Sequence, residues 1–264
     1  MTPRRARNRK RPIGACRLCQ AVAPLSFEHV PPECAFNDQP VVALGRQDIF
    51  AIGPDEAVRG RIQQRGMGGY TLCESCNQKI GRWYGHAYKQ WILQSATILQ
   101  RSRGSVSLVH LNHLLPLRVL KQVAAMFFSV NVAGFADRHP ELARFVLQPH
   151  SRFLPRQFRF FVYYNVEGRY RALPVSALLD IRTGKSSTFS EITYPPFGYV
   201  MTIESGPPDD RLCEITEWTR YMYNSFEVLP LAIPLLPTHT FIGGDYRSKD
   251  QIYREAGIDK PQTA

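Results

Sequence analysis

No apolar run in this 264-residue chain approaches the length of a membrane span, and no segment has the order of charged, apolar and small residues that marks a secretory signal peptide. No membrane partner and a cytoplasmic location are therefore expected. Internal repeats are missing too, which removes solenoids and propellers. Acidic residues are in short supply, with 22 Asp and Glu against 33 Lys and Arg. Cysteine is also scarce at six residues, but four of the six sit in two tight pairs.

The basic excess is uneven. Residues 1–103 hold 16 Lys and Arg against 7 Asp and Glu, whereas the remainder holds 17 against 15. A field of that sign suits a polyanion, and Arg4, Arg5, Arg7, Arg9, Lys10 and Arg11 concentrate it at the start of the chain. Residues 1–13 are expected to be a basic disordered arm, for which a solubilising tail is the plainer alternative. A mitochondrial transit peptide would need an apolar face that this tract lacks.

Cys16 and Cys19 form one Cys-x-x-Cys knuckle, Cys73 and Cys76 the other. Two ligands separated by two residues can reach the same tetrahedral ion, and two such pairs complete a four-cysteine structural zinc site. A redox pair or disulfides would leave unexplained why each knuckle has a mate of the same spacing. Cys34 and Cys213 remain as small hydrophobes.

Between the knuckles, Leu25 to His29 alternates like a strand until Pro31-Pro32 stops it. Residues 36–69 read as an irregular excursion holding one hairpin, Val41 to Leu44 against Ile49 to Ile52, and ending in glycine-rich turns around Arg59, Arg61 and Arg65. From Cys76 the apolar residues recur at helical spacing to about Gln100, with Lys79, Arg82, His86 and Lys89 on the polar side. A loop at Gly104 separates residues 14–103 from a second α+β unit, residues 104–264. That unit reads as a buried helix from Val119 to Val132, a helix opened by Pro140, and strands at Phe158–Val166, Tyr170–Val175, Ser187–Ile192, Tyr199–Glu204 and Leu212–Trp218. No catalytic signature stands out in it.

The segments Glu28-His29-Val30-Pro31-Pro32, Ala35-Phe36-Asn37 and Tyr70-Thr71-Leu72-Cys73-Glu74-Ser75-Cys76-Asn77 resemble the HNH endonuclease family, and a bacterial subgroup of it in particular. The resemblance covers about residues 14–92. It implies an α+β chain in which a zinc-stapled ββα-metal domain precedes a C-terminal α+β domain that recognises, regulates or dimerises. It further implies DNA hydrolysis, with a bacterial or phage defence role: His29 as general base, and Glu28 and Asn77 as ligands of a catalytic magnesium or manganese ion. The residue types suit that chemistry, because a neutral imidazole accepts a proton near pH 7 and oxygen ligands suit hard cations. Phosphate contacts are expected from Arg59, Arg61, Arg65, Lys79, Arg82 and the arm, while Tyr70 and Tyr84 are expected to pack.

Three features depart from the family pattern. Its middle asparagine, which orients a loop, falls at Gly68 or Gly69; its third helix ligand falls at Gly81; and Glu28 and His29, as strand neighbours, are expected on opposite faces. His86, about 13 Å along the helix from Asn77, is expected on the polar face rather than at the metal. His110 and His113, despite ligand-like spacing, lack a nearby carboxylate or cysteine and are expected to be ordinary histidines. A non-catalytic zinc ribbon that binds nucleic acid, and an RNA-directed nuclease, are the competing readings.

Overall fold

The computed structural model describes residues 11–44, 59–102, 109–179, 184 and 186–257. Its first half holds β1 (Ile13–Ala15), β2 (Val22–His29), β3 (Val41–Ala43), β4 (Arg61–Gln63), β5 (Gly68–Cys73), α1 (Glu74–Ile80), a π-helical turn (Gly81–Gly85) and α2 (His86–Arg101). The second half holds β6 (His110–Leu114), α3 (Pro116–Val130), α4 (Phe135–Arg138), α5 (Pro140–Leu147), β7 (Phe158–Tyr164), β8 (Arg171–Leu179), β9 (Ser186–Tyr194), β10 (Phe197–Ile203), β11 (Cys213–Glu214), β12 (Glu227–Leu231) and α6 (Lys249–Ala256). The fold is thus mixed helix and strand, and every strand ladder among the described residues is antiparallel.

Strands β1, β2 and β5 make one three-stranded sheet with β2 at its centre, and α1 follows β5 without a break. A larger sheet runs β11-β7-β10-β9-β8. Between them lies α3, whose residues are buried almost all round, as a helix packed on several sides must be. One continuous core links Leu18 and Leu72 of the first sheet, Trp91 of α2, Phe127 of α3 and Phe197 of β10. Trp91 stacks on Phe197 at 4.2 Å between ring centroids.

Polar ties lock the halves together. Arg17, inside the first knuckle, donates to the carbonyls of Ser129 and Asn131 at 2.8 and 2.7 Å, so the knuckle grips the carbonyl-rich end of α3. Thr71 of β5 bonds Ser129 at 3.0 Å, and the Tyr223 hydroxyl donates to the Trp83 carbonyl at 3.0 Å.

Several expectations shift. Among the described residues Val41–Ala43 pairs with Arg61–Gln63; the expected partner Ile49–Ile52 lies outside them. The long helix forms but opens at Glu74, with Asn77 inside it, and relaxes into the π-helical turn at Gly81. Only Cys213–Glu214 of the Leu212–Trp218 segment is strand; Thr216–Arg220 is a 3-10 helix. Its Thr216 hydroxyl accepts from the Phe160 amide, which ends the ladder there. Strands β6 and β12, which pair with each other, carried no clear period in the sequence. The arm, with Arg4, Arg5 and Arg7, and the boundary at residues 103 and 104 lie outside the described residues.

Candidate active site

The four paired cysteines converge. The Sγ atoms of Cys16, Cys19, Cys73 and Cys76 all lie within 4.8 Å of one another, and Cys19 and Cys73 are 3.8 Å apart. Tetrahedral zinc bound at the usual sulfur distance separates its sulfurs by about 3.8 Å, so the four could hold a zinc ion. A tight turn makes the first knuckle, with the Gln20 amide donating to the Cys16 carbonyl at 2.8 Å and Gln20 itself at positive φ. The second knuckle opens α1: Cys73 is its N-cap and Cys76 sits in its first turn, where the helix dipole favours thiolate. A hydrogen bond from the Cys76 thiol holds Cys16 far below the ordinary thiol range, at about 4.

A few residues away, β2, α1 and α3 enclose a cavity of about 130 Å³ lined by Phe27, Glu28, His29, Glu33, Asn77 and Gln122, with Gly81 and Gly85 from the π-helical turn. Glu28 and His29 thus reach one space despite being strand neighbours. The β2–β5 ladder slips register between Ser26 and Phe27, and the buried positions of β2 are consequently Leu25 and Glu28, three apart. Glu28 is only 7% exposed, and no hydrogen-bond or ion-pair partner for its carboxyl exists among the described residues. Burial pushes that carboxyl up to about 8.

His29 is half-buried, and burial lowers its pKa. Glu33 raises it, the Arg65 guanidinium lowers it, and a hydrogen bond accepted by the Arg65 backbone raises it. In its neutral form the ring keeps one unprotonated nitrogen as an acceptor. The Phe27 ring stands edge-on to His29 at 5.0 Å and carries the Arg65 guanidinium 4.5 Å from its centroid.

Asn77 is held from behind. Its Nδ2 donates to Ser26 Oγ at 3.1 Å and to the Phe27 carbonyl at 3.3 Å, leaving Oδ1 without a partner among the described residues. Gly81 and Gly85 have ordinary right-handed helical dihedrals, which any residue could adopt, and a Cβ at either would meet nothing within 4 Å. Glycine there costs about 1 kcal/mol of helix propensity per position with no backbone need for it. What the two glycines provide is open space beside the carboxylate.

Of the two positions where the family's middle asparagine would fall, Gly69 has room for a side chain, a Cβ there meeting only Thr71 at 3.7 Å, and Gly68 does not. A Cβ on Gly68 would lie 2.1 Å from the Glu28 carbonyl, so no asparagine fits there. Asn37 ties the loop instead: its Nδ2 donates to the carbonyls of Pro31 and Met67, and its Oδ1 accepts from the Met67 amide, each at 2.7 Å. Asn37 was legible only as part of Ala35-Phe36-Asn37, without a role. The other residue missed is Gln122, for which the signal was two polar residues, Lys121 and Gln122, in an otherwise apolar helix.

Arg59, Arg61, Arg65, Lys79 and Arg82 are all exposed, as is His86, which does not line the cavity. Arg11 is engaged by Glu74 at 2.7 Å. Tyr84 packs as expected, fully buried with its hydroxyl on the Val146 carbonyl, whereas Tyr70 is 41% exposed beside Phe27. Cys34 and Cys213 are half-buried free thiols. No helix among the described residues is long and apolar enough to cross a membrane. Comparison of the chain with protein-family models, curated proteins and solved structures gives no match in any of the three.

Proposed function

We propose that this chain is a metal-dependent endonuclease of the HNH type, hydrolysing phosphodiester bonds of DNA. The observation that carries the reading is the meeting of Glu28, His29 and Asn77 on one small cavity beside the four-cysteine cluster. A buried carboxylate without a counter-charge is costly in a merely structural role, but it is the arrangement a cation site needs. The donor set fits magnesium or manganese: a carboxylate and an amide oxygen, both hard, with no sulfur. Zinc belongs to the cysteines and is architectural.

When bound, the divalent ion neutralises charge on the phosphate and on the departing 3′ oxygen. Glu28 and Asn77 hold it in place. His29, neutral near pH 7, takes the proton of the attacking water through its unprotonated nitrogen; the water oxygen bonds to phosphorus as the bond to the 3′ oxygen breaks. Gly81 and Gly85 leave room for the phosphate to come close, and Arg59, Arg61, Arg65, Lys79 and Arg82 contribute sequence-independent attraction to the backbone. A recognition or dimerisation role is assigned to the second half of the chain.

The test is incubation of the purified protein with supercoiled plasmid in magnesium, in manganese and in EDTA. Nicking or linearisation in the metal arms alone is expected. Cleavage of RNA but not DNA would move the reading to an RNA-directed nuclease. No cleavage of either, with binding retained, would move it to a zinc-ribbon binding module.

A further inference from the structure

The cavity has an edge that the reading above does not use. Gln122 lines it from α3, a third element beside β2 and α1. The residue is 1% exposed, yet its Oε1 has no hydrogen-bond partner among the described residues. Leaving a buried amide oxygen unpaired costs folding free energy, and such groups are few in native proteins. Its neighbour Lys121 shows what the same stretch does when the role is structural: that ammonium is capped by the carbonyls of Phe145 and Gln148.

The company Gln122 keeps is one-sided. Glu28 has no partner for its carboxyl and Asn77 none for Oδ1 among the described residues, and no Lys or Arg lines the cavity. Besides the exposed Glu33, three buried or half-buried oxygen-bearing side chains from three elements therefore line one space with no Lys or Arg among them. On the helix side Gly81 presents no side chain, and α3 packs directly against that turn.

We propose that Gln122 is the third protein ligand of the divalent ion, its Oε1 completing a set with Glu28 and the Asn77 amide oxygen. This rests on the metal-dependent reading of the same cavity. It makes the two halves of the chain co-owners of the site, because the first half alone would have two ligands. Arg17 and Thr71 of the first half bond Ser129 and Asn131 at the end of α3, tying the helix that carries Gln122 to the cysteine-bearing half.

The probe is Mn²⁺ alone, titrated into full-length zinc-loaded protein and followed by loss of its free-ion electron paramagnetic resonance signal. Gln122→Met keeps the length and apolar contacts but removes the oxygen; Gln122→Glu keeps an oxygen at the same reach. Zinc content and melting temperature are measured on each. Wild type is expected to bind Mn²⁺, Gln122→Met at least about 10-fold more weakly, and Gln122→Glu as tightly or more so. Equal affinity of Gln122→Met and wild type overturns the assignment while leaving the metal site standing. Equal weakening in both variants also overturns it, since packing alone would explain that result. If wild type binds no Mn²⁺, the nuclease reading itself falls and takes this ligand with it.

Discussion

Asn77 donates its amide to the hydroxyl of Ser26 at 3.1 Å, and this one bond decides which end of the Asn77 side chain is available to a ligand. Ser26 has a single proton to give, and it goes to the Leu72 carbonyl at 3.1 Å. Toward Asn77 the hydroxyl can then only accept, so nitrogen must face β2 and Oδ1 must be the free end.

Ser26→Ala removes that constraint without touching a ligand. The variant is expected to lose about 1 kcal/mol of stability, keep its zinc, and bind Mn²⁺ roughly 10-fold more weakly as Asn77 rotates. Mn²⁺ titration against a matched wild-type sample checks it; unchanged affinity would mean that the Phe27 carbonyl alone orients the amide.

The cysteine cluster is expected to carry one zinc per chain. Because zinc affinity is part of the folding free energy, Cys73→Ser should lower both solubility and melting temperature, and it should do so more than a change at the free thiol Cys213. Elemental analysis of well-folded wild type that finds no zinc would remove the basis for this part of the account.

Glu28 links the site to pH. With a folded pKa near 8 against an ordinary value of 4.5, the folded state binds more protons than the unfolded state between those limits. Metal-free protein should therefore lose stability as pH rises from about 4.5 to about 8, by on the order of a few kcal/mol, and level off above. A divalent ion favours the charged carboxylate and should offset the loss. In Glu28→Gln both effects vanish, so the variant should be more stable than metal-free wild type at about pH 9 while losing cleavage. Denaturant titrations across that range decide it.

Asn37→Ala leaves the Met67 amide and the Pro31 carbonyl without their buried partner, while the Met67 carbonyl keeps the Val30 amide. A cost of roughly 2–4 kcal/mol is expected, with Glu28 and His29 loosened together because Pro31 lies only two residues beyond His29. A melting temperature unchanged within error would show that water replaces the amide.

Much of this site was readable from the chain, and the parts that were not share a cause. Spacing revealed the knuckles, because zinc geometry is local to two turns of backbone. Strand and helix periods revealed β2 and the long helix, because their burial is one-sided. The burial of Glu28 was not readable, since it follows a ladder slip between Ser26 and Phe27 that only pairing with β5 creates. Gln122 and Asn37 act at 45 and 40 residues' remove from Asn77, through packing that no spacing rule encodes. The pairing of Val41–Ala43 with Arg61–Gln63 was not readable for the same reason, since the two segments lie far apart in the chain.

The most direct measurement is plasmid cleavage by His29→Ala beside wild type, in magnesium, with zinc content and DNA binding measured on both. His29 is no zinc ligand and is half-buried at a strand end, so the variant should fold, keep its zinc and bind DNA. Its cleavage rate should nevertheless fall by about 10² to 10⁴, the contribution of a positioned general base. Equal cleavage by the two proteins would place the activity elsewhere and contradict the account.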